Sequence, residues 1–402
     1  MQGQFDAHSV GNLTTGIRNP ITGKIALGTT AGVILQYDVE ADILDARQLS
    51  DLMGNSINTL AYSPKGIFIA SAHRQGYIGV WHAASGKGVL VGQADKMNCQ
   101  ALVWSRGGAF LVVQCVGKQE LVVYPASEYT LGIALESGQV LQLGTIEPIF
   151  KWRGGKGNLV VGDFSPDDMH FVFTGGDNFV QVINTTSWEI EYKVKVPTHP
   201  MIMHWIANDR LLVSGPLEKG AKGGEDLLLL LDIPSGKVLF SQTCTPILIM
   251  RPCEQEELVF LLQDFGDNPR LGFRVLNLKT LQIVGEVTPN ISNICDIVLL
   301  PDLRKVCVIT RTSVIVGAWD GKDGSNYEQR FSLQDFNPAA SPTGQSVSKI
   351  SPLAAKESEE RSVLFGFRKM DIKSIVAIGA DGSRRLVIPG LDLEVVKKWY
   401  AR

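Results

Sequence analysis

The sequence predicts an all-β protein built from one repeated four-stranded unit. Three observations predict it. First, a strand ending in a bulky residue and then a polar or turn-forming one recurs at Tyr37-Asp38, Trp81-His82, Tyr124-Pro125, Ile183-Asn184, Leu231-Asp232, Leu276-Asn277 and Trp319-Asp320. Most of their spacings, 44, 43, 59, 48, 45 and 43 residues, match the period of a β-propeller blade. Second, the turns around these anchors repeat in kind. Third, apolar runs such as Leu227–Leu231 and Leu258–Leu262 are short and lack clean alternation, as strands covered on both faces must be.

The units follow in order: 12–49, 56–93, 98–143, 158–196, 201–243, 247–287 and 293–333. The 59-residue spacing marks an insertion somewhere in Ala126 to Gly155. His82-Ala83-Ala84-Ser85-Gly86-Lys87 and Asp232-Ile233-Pro234-Ser235-Gly236-Lys237 share one turn layout, with Asn277–Thr280 and Asn184–Ser187 as degenerate versions. In such turns the leading Asp or Asn bonds backbone N–H groups two residues on, and Gly accepts positive φ. Turns before the second strand repeat as Tyr62–Gly66, Trp104–Gly108 and Phe164–Asp168.

After the seventh unit comes a polar loop, Gln334 to Arg361, with Ser341-Pro342 and a run of charges. Then 362–367, 374–378 and 385–388 read as further strands. They make either an eighth blade, which anchor counting favours, or the closing strands of a seven-bladed ring. Closure is required, because an open last blade leaves sheet edges and apolar faces unpaired. The ring is expected to be a single domain over residues 1–390. Residues 391–402 form a tail, where Leu391, Val395 and Trp399 fall on one stripe of a short amphipathic helix. That helix would dock on the ring itself or on a partner.

Several units resemble the WD-repeat β-propeller family. The second matches best, from Leu60-Ala61-Tyr62-Ser63-Pro64 through Ile69-Ala70-Ser71-Ala72 to Gly76–Trp81; Asp163–Asn184 of the fourth is close behind. Trp319-Asp320 spells the family's signature dipeptide. The Gly-His pair before the first strand is absent, and Asp177 alone stands where the family places its interior Asp, with Gln75 there in unit two. The resemblance implies a ring of seven blades, a non-enzymatic role as a protein-interaction scaffold, and partners that are other subunits of a multiprotein complex.

Composition narrows the function classes. Hydrophobic residues make up 45% and charged residues 20%, enough apolar material for a large core. With a formal charge of −3, direct nucleic-acid binding is not expected. The apolar stretches are far short of the roughly 20 residues that span a bilayer, and Met1–Val10 lacks the pattern of a secretory signal. Six cysteines without zinc spacing read as free thiols in a reducing compartment, hence an intracellular, cytoplasmic protein, with the nucleus or an organelle as alternatives.

No metal, cofactor or catalytic constellation is expected from the six scattered histidines. An enzyme gathering residues at the central channel remains one alternative. Gly-Lys pairs such as Gly155-Lys156 lack the phosphate-loop frame and read as turns. Lys151, Trp152, Arg153 and Lys156 form the second alternative, a weak basic motif that could hold an anionic headgroup and recruit the protein to a membrane. The main partner-binding candidates are two long loops between second and third strands, in units five and six. Leu217, Lys219 and Lys222 lie in the first; Asp264, Phe265, Asp267, Asn268 and Arg270 lie in the second. In the family's topology such loops rise on one face, so adjacent blades raise adjacent loops, with Phe265 as an apolar anchor.

Overall fold

A computed structural model describes residues 11–45, 55–94, 98–115, 119–154, 159–217, 224–253, 257–264, 271–287, 291, 293–318, 328–332, 376–378 and 384–386. Seven antiparallel sheets follow one another along the chain. Blade 1 is β1 (Leu13–Arg18), β2 (Ile25–Thr29), β3 (Ile34–Asp38) and β4 (Ile43–Asp45). Blade 2 is β5 (Ile57–Tyr62), β6 (Phe68–His73), β7 (Tyr77–His82) and β8 (Gly88–Gln93). Blade 3 begins with β9 (Cys99–Trp104), β10 (Leu111–Cys115) and β11 (Glu120–Tyr124). Its insertion then forms helix α1 (Glu128–Ser137), β12 (Leu141–Gln142) and a 3-10 turn over Leu143–Thr145, before β13 (Phe150–Arg153) completes the sheet.

Blade 4 is β14 (Val160–Phe164), β15 (His170–Thr174), β16 (Phe179–Asn184) and β17 (Glu189–Lys195). Blade 5 is β18 (Ile202–Trp205), β19 (Arg210–Pro216), β20 (Asp226–Asp232) and β21 (Lys237–Cys244). Blade 6 is β22 (Ile247–Cys253), β23 (Leu258–Asp264), β24 (Leu271–Asn277) and β25 (Ile283–Val287). Blade 7 is β26 (Ile294–Leu300), β27 (Lys305–Thr310), β28 (Ser313–Ala318) and β29 (Glu328–Ser332). The first strand of each blade meets the first strands of both neighbours, so these seven line the centre of the ring.

The insertion falls inside the span that the sequence marks, but the third unit does not end near Leu143. Its fourth strand is β13, beyond the insertion. A Ser127 hydroxyl accepting from the Thr130 N–H starts α1, and Gly138, at φ 68°, stops it. The inserted β12 pairs in parallel with β8, as a fifth strand on the outer edge of blade 2. That edge is thereby covered, which is one way a protein blunts an open sheet edge.

The turn chemistry follows the sequence. The Asp38, Asn184, Asp232 and Asn277 carboxyl or amide oxygens accept from backbone N–H groups two or three residues on. Positive φ recurs before the fourth strand, at Gly86 and Gly236 but also at Trp188 (58°) and Leu281 (56°). Trp188 offsets that local cost by packing: its ring stands 5.0 Å from Phe110 and 6.0 Å from Phe150 across the blade 3–blade 4 boundary.

Seven hydrophobic clusters hold the ring, one between each neighbouring pair of blades. The seventh joins Leu13, Leu27 and Tyr37 of blade 1 to Val298, Cys307 and Ile309 of blade 7. The ring therefore closes on seven blades, the count that the family resemblance implies, and not on the eight that anchor counting favours. Among the described residues, the later strands β30 (Val376–Ile378) and β31 (Arg384–Leu386) pair with each other and with no blade. Segment 362–367, the polar loop 334–361 and the tail with Leu391, Val395 and Trp399 lie outside the described residues.

Each blade is one continuous stretch of chain, so among the described residues blade 7 and blade 1 share no sheet. Single hydrogen bonds and side-chain contacts join them instead. The Leu13 N–H donates to the Arg311 carbonyl at 2.7 Å. Asp296 Oδ2 accepts from the Thr15 hydroxyl at 2.9 Å and the Gly16 N–H at 3.2 Å, while its Oδ1 accepts from Arg251 of blade 6 at 2.8 Å. Arg18 pairs with Asp302. A methyl group on Gly16 would overlap the Cδ1 of Ile309, so glycine is what lets β1 pack closely against β27.

Inside blade 2 runs a polar chain. The Trp81 indole N–H donates to the Ser71 hydroxyl at 3.0 Å, Ser71 meets His73 Nε2 at 2.9 Å, and His73 Nδ1 meets the Asn55 carbonyl at 3.0 Å. Burial pushes the His73 imidazole down to about 4, with the Asn55 bond opposing, so the ring is neutral at pH 7. Asp177 has no such interior role: its carboxylate is half exposed and pairs with Lys193 at 3.9 Å. None of the six cysteines is in a disulfide, and four of them are buried.

Candidate partner-binding face

In a four-stranded meander, the first-to-second and third-to-fourth turns lie on one face of the ring. The second-to-third loops and the inter-blade connectors lie on the other. The candidate loops therefore stand beside the connectors, and the hydrogen bonds show how closely.

In blade 5 the loop leaves β19 at Pro216 and returns at Asp226, its register partner, and the Leu217 N–H donates to the Glu225 carbonyl at 3.3 Å. The incoming connector lies against this neck. Thr198 donates through its hydroxyl to the Pro216 carbonyl at 2.6 Å and bridges Leu217. Gly215 makes room, since a Cβ there would strike the His199 backbone.

In blade 6 the loop leaves at Asp264 and returns at Leu271, again register partners. Connector 245–246 is shared between the two loops. Its Thr245 carbonyl accepts from Gln263 Nε2 at 2.9 Å, its Pro246 carbonyl accepts from the Asp264 N–H at 3.1 Å, and the Asp226 carboxylate accepts from the Ile247 N–H at 2.8 Å. Burial pushes the Asp226 carboxyl up, and the Ile247 bond opposes this. Loop bases 5 and 6 are thus fixed to one three-residue piece of backbone, Thr245 to Ile247. Of the candidate residues, Leu217 and Asp264 are placed at these bases; Lys219, Lys222, Phe265, Asp267, Asn268 and Arg270 lie outside the described residues.

Two residues not singled out from the sequence complete this face. Five of the seven inner strands carry a bulge near the connector, and the extra residues are Thr14, Asn58, Gln100, Leu248 and Cys295. A bulge re-aims a side chain. In blade 6 it turns out Leu248, which is 50% exposed, and Met201, just before β18, is equally exposed. Both stand at the connector end of neighbouring inner strands, beside the two loop bases. The available signal is a leucine at a bulge position filled by Thr14, Asn58 and Gln100 elsewhere.

The basic motif lies on β13, the outer strand of blade 3. Successive residues alternate between faces. Trp152 packs its ring against Phe173 at 4.9 Å, while Lys151 and Arg153 are exposed, with Arg153 held by Glu120 at 2.7 Å. Lys156 lies outside the described residues.

Toward the centre of the ring, Asp163 of blade 4 has its Oδ2 3.8 Å from Arg106 of blade 3 and 3.9 Å from His204 Nδ1 of blade 5. Among the described residues, no group of three or more His, Cys, Asp or Glu side chains could hold a metal ion, and no helix is long and apolar enough to cross a membrane.

No known family profile matches the chain, and no curated protein matches it. Among solved structures, it is similar to one chain from a crystal structure of the mitotic checkpoint complex. The TM-score is 0.59 at 11% identity, covering 77% of this chain and 91% of that one. Such a likeness speaks of architecture, and 1672 chains of solved structures share it. The protein is a seven-bladed β-propeller.

Proposed function

We propose that this protein is a non-enzymatic scaffold that binds other subunits of a multiprotein complex through the loop face of blades 5 and 6. One observation carries the reading: two long loops are anchored to one shared connector beside two half-exposed aliphatic side chains, Met201 and Leu248. Apolar anchors within a polar rim are the usual energetic centre of a protein interface. Leu217, Lys219, Lys222, Asp264, Phe265, Asp267, Asn268 and Arg270 would form that rim. That the similar solved chain comes from a multiprotein complex is in keeping with this role. Free thiols favour a reducing, intracellular setting. The membrane-recruiter reading is weakened by the engagement of Arg153 with Glu120 and of Trp152 with Phe173.

The test is affinity isolation of the tagged protein from native extract, followed by the Leu248→Asp variant. The tagged wild type is expected to elute with stable partner subunits. Leu248→Asp should reduce their recovery by about tenfold, the loss expected when one buried anchor goes, with an unchanged melting temperature. A wild type that elutes alone at 43.8 kDa would refute the scaffold reading. Partner recovery untouched by Leu248→Asp would refute this face.

A further inference from the structure

The insertion in blade 3 does more than cover the edge of blade 2. The inward side of α1 supplies Leu131 and Ala134 to the interior, and its buried Glu128 accepts from the Lys65 N–H at 3.0 Å. The outward side presents Tyr129, 79% exposed, and Ile133, 50% exposed. They are four residues apart and so form one ridge. Between them sits Gly132, where an added Cβ would meet nothing within 4 Å. Glycine in a helix interior is unfavourable, and nothing packed against it within the chain calls for it. A bare backbone beside an apolar ridge is what a second helix needs to approach closely.

The surroundings give the partner a charge. Lys65 stands at the start of α1, with its Nζ 3.8 Å from Glu128 yet still largely exposed. Two residues on, Ile67 is also exposed. The Ile67 carbonyl accepts from the Ala83 N–H, and the neighbouring His82 N–H donates to the carbonyl of exposed Lys87. Lys65 and Lys87 thus stand on the two turns of blade 2 beside exposed Ile67, and α1 packs its Leu131 against Val89 and Leu90, just after Lys87. Glu136 is exposed at the far end of α1, whose last turn holds no basic residue.

We infer that this patch is a second docking surface, on the face opposite the long loops, and that its occupant is a short amphipathic helix of another protein. The partner's apolar stripe covers Tyr129, Gly132 and Ile133. Its Asp or Glu residues lie over Lys65 and Lys87, away from Glu136. Charge complementarity sets both the choice of an acidic partner and its direction along α1. A lipid surface fits less well, because membrane-binding basic segments gather about four to eight cations and this patch has two beside an acid.

The test pans a displayed library of helical peptides against the whole protein and synthesises the enriched sequence with a fluorescent label. The expected sequence has apolar residues at i and i+4 and Asp or Glu on one flank. Its affinity should fall about tenfold in Ile133→Asp, and severalfold, more at low salt, in Lys87→Glu. Both side chains are exposed, so melting temperatures should not change, and Leu248→Asp should bind like the wild type. Four results would each overturn the proposal: no peptide selected, peptides without an acidic flank, peptides indifferent to Ile133→Asp, or no peptide dependence while Ile133→Asp abolishes binding to phosphatidylserine vesicles. A concentration-dependent dimer abolished by Ile133→Asp would replace the acidic helix with a second copy of the chain.

Discussion

Asp163 in blade 4 and Asp296 in blade 7 sit at matching places on the inner ring, and each accepts from the N–H of the next residue at 2.8 Å. Each also faces an arginine of the preceding blade and a polar group of the following one. The resemblance stops there. Asp296 is only 9% exposed and hydrogen-bonds Arg251, Thr15 and Gly16 at 2.8, 2.9 and 3.2 Å. Asp163 is 26% exposed and stands 3.8 and 3.9 Å from Arg106 and His204. The difference follows the chain. Blades 3, 4 and 5 are consecutive in sequence, so connectors already hold them together. Blades 7 and 1 lie at opposite ends of the propeller sequence and, among the described residues, exchange no strand, so the carboxylate at that seam acts as a clasp.

The comparison breaks most readily at Asp296. Asp296→Ala leaves Arg251 unpaired and two donors of blade 1 unsatisfied at a buried site, a loss of roughly 3–5 kcal/mol. Chemical denaturation should register it, and hydrogen exchange should quicken first in β1 and β26. Uniform quickening around the ring would show that the seam is no special joint.

A smaller effect, outside both regions, comes from the buried His73 of blade 2. Its pKa is about 4 folded, against an ordinary value of 6.5, so the unfolded chain takes up the proton first as pH falls. Its full stabilising contribution is present above pH 6.5 and is lost between about 6.5 and 4, on the order of 3 kcal/mol. Denaturation midpoints measured across that window should fall in the wild type and stay flatter in His73→Gln. Parallel slopes would mean that the imidazole is not the group titrating.

The smallest change is expected at Asp163. Asp163→Ala removes only long, partly exposed ion pairs and should cost less than about 1 kcal/mol in the same denaturation assay. A loss as large as that of Asp296→Ala would erase the contrast between the two sites.

Much of this architecture is legible in the sequence because its determinants are local. Tyr37, Trp81, Tyr124, Ile183, Leu231 and Leu276 do fall at the ends of third strands, and Asp38, Asn184, Asp232 and Asn277 make their turns as their side chains dictate. The insertion is visible as a stretched period. Its content is harder to read: the Ser127 and Gly138 caps are recognisable signals, but Gly132 weakens the helical pattern between them. The end of the third unit goes astray for the same reason, since a regular period ends the unit near Leu143, where the chain instead forms the helix and β12 and delays the fourth strand to Phe150–Arg153.

The candidate face is legible only in part. Loops 5 and 6 are recognisable as long, and the topology makes them neighbours. Leu248 reads as one more apolar residue of a strand, and only the bulge beside Ile247 turns it outward. Trp152 and its flanking cations read as one motif, yet strand alternation and the pairing of Arg153 with Glu120 separate them.

By itself, the sequence determined the repeat, the strands and the turns, since each depends on residues within a few positions of one another. Tertiary structure decided the number of blades in the ring, the seam at Asp296, and which apolar side chains face solvent. Those depend on contacts such as Thr15 with Asp296, between residues at opposite ends of the propeller. No local pattern of residue types specifies which distant partners will meet.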